Sequence, residues 1–204
     1  MSVLRVTPDA PAPRRAVELL RTGGVIVFPT DTVYGLGCDA TDAAAVRRVF
    51  AIKGRTPDQP VPILLADPDD AEGLAFITPA ARLLMDRFWP GPLTIVLRAR
   101  DRLPDIVTAG TGNVGLRVPD HAVPRSLARE LGRPLVGTSA NVHGQPPATS
   151  VVQVLSQLDG RPDLILDGGR CRSAASTVVD CTAQTPRVLR PGPISEAEVL
   201  AAAG

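Results

Sequence analysis

Four separated places in the chain put hydrogen-bonding or cationic side chains together: Thr30, Asp31, Thr32 and Tyr34; Lys53 with Arg55; Ser139 with Asn141; and Ser176 with Thr177. Arg117 and Arg190 join them. None of these places supplies a metal-ligand pattern or an obvious base. Hydroxyls, amides and cations suit the binding and neutralising of anions, and phosphoryl or nucleotidyl transfer is catalysed largely by positioning and charge stabilisation. The chain has no G-x-x-x-x-G-K-[ST] loop and no strand followed by G-x-G-x-x-G, so a nucleotide would be held in another way. Gly137-Thr138-Ser139-Ala140-Asn141 approaches the G-x-S-x-G elbow of serine hydrolases. Its closing residue is Asn, however, and His143 lies too near in sequence for the usual triad order.

Lys53 stands out for a second reason. It is the only lysine among 22 basic residues. An ammonium is a compact point charge with rotatable donors, whereas guanidinium is a planar fork, so a site that needs the first cannot use the second. A purely structural reading of the same residues is a set of polar turns and caps, with Lys53 and Arg55 placed at a helix C-terminus because the helix dipole favours cations there.

The elements that position these groups follow from the hydrophobic pattern. Pro13 to Thr22 reads as an amphipathic helix ended by Gly23-Gly24, leading into a buried strand Val25 to Phe28. The polar stretch Pro29 to Ala40 sits at that strand's end, where ligands bind in open α/β sheets, and Gly35 and Gly37 let a backbone approach closely. Thr41-Asp42 offers an N-cap to a helix that runs to Ile52 and stops at Lys53-Gly54-Arg55. Strands are predicted at Pro62 to Ala66, Thr94 to Arg98, Val114 to Val118, Leu135 to Gly137, Leu164 to Leu166, Ser176 to Asp180 and Arg187 to Arg190. Helices are predicted from Thr78-Pro79 to Phe88, His121 to Leu131, Ser150 to Leu158, and after the capping box Ser195-x-x-Glu198. Leu103 to Asn113 reads as a loop. Alternating strands and helices without strict βαβ order predict one mixed, twisted sheet with helices packed against it.

At 204 residues with 44% hydrophobic content, a single domain over residues 1–204 is expected. The formal net charge of +1 gives no global basic field, so any RNA contact must be local. Met1 to Pro13 has no apolar leader, and no apolar run approaches a membrane span, so a cytoplasmic protein without membrane contact is expected. Cys38, Cys171 and Cys181 lack C-x-x-C spacing, and His121 and His143 fit no ligand pattern, which predicts reduced thiols and no metal held by the protein.

Taken in order, Pro29 to Ala40, Lys53-x-Arg55, Pro90-Gly91-Pro92-Leu93-Thr94, Ser139-x-Asn141, Ser176-Thr177-Val178-Val179-Asp180 and Leu189-Arg190-Pro191-Gly192-Pro193 resemble the YrdC-like family, the threonylcarbamoyl-AMP synthases. The resemblance runs from about Arg14 to the end. It implies a YrdC-like α/β fold with a large concave cleft, and a nucleotidyl transfer that turns L-threonine, bicarbonate and ATP into threonylcarbamoyl-AMP and pyrophosphate. In the family, partner proteins then place the threonylcarbamoyl group on certain tRNAs. By position, Thr32, Arg117 and Ser176 would hold threonine, and Lys53, Arg55, Ser139, Asn141 and Arg190 would face ATP and its Mg2+. Lys53 and Arg55 would be catalytic, stabilising charge on the α-phosphate and the departing pyrophosphate.

The chain departs from the family pattern at Leu64, where many relatives carry a His associated with threonine, and at Thr56-Pro57, Gln59 and Ala175. Longer members carry a C-terminal domain, so this chain corresponds to a short form. An RNA-binding or ribosome-maturation module of the same fold, with weak RNA binding and no nucleotidyl transfer, is the alternative. A carbamoyl-transfer domain of the hydrogenase-maturation type is a third reading, disfavoured because such proteins carry zinc-finger and acylphosphatase regions.

Overall fold

The computed structural model describes residues 2–158, 161–172 and 174–204. Its elements, in chain order, are β1 (Ser2–Arg5), α1 (Arg14–Arg21), β2 (Ile26–Phe28), β3 (Gly35–Gly37), α2 (Ala43–Lys53), β4 (Ile63–Leu64), α3 (Pro79–Phe88), β5 (Leu93–Arg98), α4 (Asp105–Thr108), β6 (Asn113–Arg117), α5 (Ala122–Leu131), β7 (Leu135–Val136), β8 (Thr138–Ser139), α6 (Val151–Leu158), β9 (Leu164–Asp167), β10 (Thr177–Asp180), β11 (Arg187–Arg190) and α7 (Glu196–Ala203). A 3-10 turn, Pro68–Gly73, precedes α3.

The strands form two mixed sheets rather than the one expected: a five-stranded sheet in the order β1-β9-β2-β3-β8 and a six-stranded one in the order β11-β10-β5-β6-β4-β7. One stretch of chain joins them. Leu135 and Val136 pair with β4, and Thr138 and Ser139, just past Gly137, pair with β3 in the other sheet. The Val136 N–H donates to Cys38 O at 2.9 Å, which brings the two backbones together. An ideal Cβ on Gly37 would lie 1.9 Å from Val136 O, so only glycine permits this approach.

Alternation along the strands fills two cores. Val27 of β2 and Ile165 of β9 face a large core with α2, α3, α6 and the rear of the six-stranded sheet. Ile26, Phe28, Leu164 and Leu166 face a smaller core with α1 and α5. Each of these fully buried side chains contributes about 1.5–3 kcal/mol of transfer free energy. A strand buried on both faces reads as a continuous apolar run, which is why Val25 to Phe28 was legible.

The helix ends follow their caps. Asp42 accepts from Ala44 N at 2.9 Å and Ala45 N at 3.1 Å, Thr78 accepts from Ala81 N at 3.2 Å, and Ser195 and Glu198 form a reciprocal capping box. Gly54, at φ +60°, closes α2 in the left-handed conformation and makes Lys53 its last helical residue.

Five elements were not anticipated, one of them β8, which follows the predicted strand Leu135 to Gly137 and joins the other sheet. Strand β1 lies in the N-terminal stretch and pairs parallel with β9. Strand β3 lies inside the polar stretch and pairs antiparallel with β2. The 3-10 turn and the short α4, within the expected loop Leu103 to Asn113, complete the set.

Candidate functional site

One face of the six-stranded sheet is the floor of a cavity of about 590 Å³. Its walls are the end of α2, the segment from Gln59 to Pro62, and the chain from Gly137 to His143. The eight residues that the resemblance gives substrate or ATP roles all line it: Thr32, Lys53, Arg55, Arg117, Ser139, Asn141, Ser176 and Arg190. Two neighbours in those motifs face elsewhere. Thr177 is buried with its hydroxyl donating to Ile194 O at 2.8 Å, and Tyr34 is buried with its hydroxyl donating to Gly169 O at 2.6 Å. Both residues brace loops. The site lies on a sheet face as well as at the end of β2, so the strand-end expectation covers only part of it.

Lys53 is 3% exposed, and its ammonium donates to the backbone carbonyls of Ser139 and of Asn141, the latter at 2.8 Å. The His143 N–H returns a bond to Lys53 O at 2.8 Å, so α2 and the segment after β8 hold each other. Burial, helped by the nearby charge of Arg55, pushes the Lys53 pKa down to about 8. Two of three donors are spent on carbonyls, which leaves one position on the nitrogen for a ligand.

Arg55 lies over the Phe50 ring at 5.5 Å and donates from Nη2 to Gln59 O at 3.0 Å and Pro60 O at 3.2 Å. Its Nε is buried without a partner among the described residues. Burial holds this guanidinium below the usual arginine range, with Asp58 opposing the shift. Asn141 is 6% exposed, and its Nδ2 donates to Val142 O at 2.9 Å and Gln145 O at 2.8 Å.

Arg117 is held on three sides. Its Nε donates to Gly91 O at 2.9 Å, Nη1 to Thr32 Oγ1 at 3.0 Å, and Nη2 to Asp31 Oδ1 at 2.6 Å. Burial lowers its pKa while the Asp31 carboxylate opposes the shift. Two of its five N–H donors remain, enough for one more carboxylate. Thr32 is fixed in turn by Thr30, whose hydroxyl is 3.0 Å away. On the other side, Ser176 Oγ lies 2.8 Å from Thr94 Oγ1, and Arg190 Nη2 donates to Ser176 O at 2.8 Å. Leu64, across the strand pair from Arg117, lines the same cavity and sits against Gly137, where a Cβ would fall 2.3 Å from Leu64 Cγ.

Sequence reasoning passed over Thr94, Asn113, His143 and Asp180, which also line the cavity. Thr94, Asn113 and Asp180 lie on predicted strands or at their edges, and their period-2 alternation with buried residues was the signal that could have found them. Among the described residues, no three His, Cys, Asp or Glu side chains gather as metal ligands. A magnesium ion here would take most of its ligands from phosphate and water, as that ion commonly does. No described helix is long and apolar enough to cross a membrane.

A mixed-sheet α/β fold has a hollow that gathers one ammonium, three guanidiniums and several hydroxyls, a set with the chemistry to bind and neutralise anions. The Sua5/YciO/YrdC family model, described as telomere recombination, matches residues 18–192, and the chain belongs to that family. It is 42% identical over 202 residues to the threonylcarbamoyl-AMP synthase of Bacillus subtilis, covering 98% of this chain and 58% of that protein. It is 38% identical over 173 residues to the threonylcarbamoyl-AMP synthase of Thiobacillus denitrificans, covering 84% and 90% respectively. The structure of Pyrococcus abyssi Sua5 complexed with L-threonine superposes with a TM-score of 0.90 at 38% identity, over 98% of this chain and 60% of that one. The chain thus spans about three fifths of the Bacillus and Pyrococcus proteins.

Proposed function

We propose that this chain forms threonylcarbamoyl-AMP and pyrophosphate from L-threonine, bicarbonate and ATP. The observation that carries the reading is the meeting, in one cavity of about 590 Å³, of a cationic end at Lys53 and Arg55 with a carboxylate-binding end at Arg117. The names of the Bacillus and Thiobacillus relatives and the threonine complex of the Pyrococcus protein support it.

In this reading, the two free N–H groups of Arg117 hold the threonine carboxylate. Asp31 and Gly91 O keep the guanidinium facing it. Thr32 and Ser176 supply hydroxyls to the rest of the amino acid, and Arg190 steadies Ser176. ATP enters with magnesium on its phosphates and lies against Ser139, Asn141, Lys53 and Arg55. The threonine amine attacks the bicarbonate carbon, a C–O bond breaks and water leaves; an oxygen of the resulting N-carboxylate then attacks the α-phosphorus, and pyrophosphate leaves. Negative charge grows on the α-phosphoryl oxygens and the departing group, where the free position of Lys53 and the Arg55 fork stabilise it. Where relatives carry His, Leu64 gives an apolar wall, so the polar contacts to threonine come from Thr32, Arg117 and Ser176. Proteins that transfer the threonylcarbamoyl group to tRNA would take the product, in a cytoplasmic setting.

The test follows carbon. Incubation with labelled bicarbonate, threonine and MgATP yields a labelled adenylate resolved by chromatography. Absence of label in the nucleotide fraction, with ATP bound, contradicts the assignment.

A further inference from the structure

A second cavity, of about 390 Å³, lies apart from the first, and among the described residues Leu64 alone lines both. It is enclosed by the segment after β4, the 3-10 turn Pro68–Gly73, the C-terminal end of α5 and the turn after β5. Its floor is apolar, made by the buried residues Leu65, Ala66, Leu74 and Ala128. Its rim is charged. The exposed Arg102, Arg129 and Arg133 stand there with Asp67 and Asp70.

Both carboxylates already have partners. Asp67 accepts from Arg125 Nη2 and from Arg129 Nη2, each at 2.8 Å, and Asp70 accepts from Asp67 N at 3.0 Å. Arg133 donates from Nη1 to Oδ2 of the buried Asp39 at 2.8 Å. Arg129 and Arg133 are therefore each pinned by a carboxylate while most of their five N–H donors stay open. A side chain held in this way loses little freedom when a ligand arrives. The Arg102 guanidinium lines the same rim with no hydrogen bond or ion pair among the described residues. Its turn is fastened to the 3-10 element, since Arg100 N donates to Leu74 O at 2.8 Å and Arg100 Nε to Ala75 O at 3.2 Å.

Three guanidiniums against two carboxylates leave the lining one positive charge, and counting the paired Arg125 and Asp39 changes nothing. A singly charged anion balances that charge, whereas a phosphate dianion overshoots it and lies near Asp67 and Asp70. A planar carboxylate also matches the guanidinium fork. We propose that this cavity is a binding site for a small monocarboxylate with an apolar body, its carboxylate on Arg102, Arg129 and Arg133 and its body over Leu65, Leu74 and Ala128. The cavity is of the size that holds small ligands. Because it is separate from the cavity at Arg117, its occupant and an amino acid there are bound together.

The experiment is calorimetric titration with benzoate, run with and without excess L-threonine. Binding with the same affinity in both is the expected result. Benzamide, which lacks the charge, is expected to bind about tenfold more weakly, the scale of a hydrogen bond to a charged group, and phenyl phosphate is expected to bind more weakly than benzoate. Gly73→Phe is expected to abolish binding, because Gly73 lines the cavity and an added Cβ there has no atom within 4 Å. Arg102→Ala is expected to weaken binding by about tenfold. Thermal unfolding should be unchanged in both variants, and if Gly73→Phe fails to fold, Arg102→Ala decides. Absence of binding, displacement of benzoate by threonine, equal binding of benzamide, or an affinity untouched by the variants overturns the site. Tighter binding of phenyl phosphate than of benzoate overturns the assignment to a monocarboxylate.

Discussion

Lys53 concentrates the chemistry at the residue scale. An ammonium buried among carbonyls and held near pKa 8 gains most from a phosphate that restores its charge. In the proposed reaction a bound nucleotide would raise that pKa. The binding contribution is therefore complete below about pH 8 and is lost as pH climbs through the higher, bound-state value. Calorimetry in two buffers of different ionisation enthalpy should show uptake of close to one proton per nucleotide above pH 8, and none at pH 6.5. Lys53→Ala should lower kcat by about 10²–10³-fold, the scale of losing one preorganised charge contact. Circular dichroism should show that chain folded, and Lys53→Arg should not rescue it, because a planar fork cannot satisfy two converging carbonyls and keep a donor free. Asp31 is a different case, since it orients Arg117 and the pair is buried. Asp31→Ala leaves a buried guanidinium without its counter-charge, which should cost about 3–5 kcal/mol in denaturant unfolding and raise the KM for threonine.

At the scale of elements, two backbone features hold the site. Gly54 stops α2 where Lys53 can reach the chain after β8, and Gly37 lets β3 lie against Val136. Gly37→Ala would put a methyl onto a carbonyl oxygen, and it should lower Tm by several degrees with loss of activity even though no catalytic group has changed. The reasons some elements were legible are local. Pro79 behind Thr78, Asp42 before Ala43, Ser195 with Glu198, and the apolar run ending at Phe28 are signals read within a few residues. Gly35-Leu36-Gly37 carries no such signal, because glycine has low strand preference and is present only to fit the Phe28 ring and Val136. Ser2 to Arg5 is too short and mixed to read, and it becomes a strand by pairing with β9. The division into two sheets was hidden for the same reason: it depends on residues 135–139 changing partners at Gly137, a long-range event. Site residues with unusual chemistry, such as the lone lysine, were visible. Asp180 was not, because one aspartate at the end of a strand differs from a surface residue only once the sheet is assembled.

Across the whole molecule, the cavity joins segments from residue 32 to residue 190. Arg117, which is proposed to hold a carboxylate, and the cations Lys53 and Arg55 line one cavity over a floor that no single motif supplies. Such an arrangement suits the proposed reaction, in which two substrates must meet. The most direct measurement is pyrophosphate release from MgATP by the purified chain, with threonine or bicarbonate withheld in turn and with serine or alanine in place of threonine. Release that needs threonine and bicarbonate together, and that falls away when Arg117 is replaced by alanine, is the predicted result. Release at the same rate with threonine omitted would contradict it.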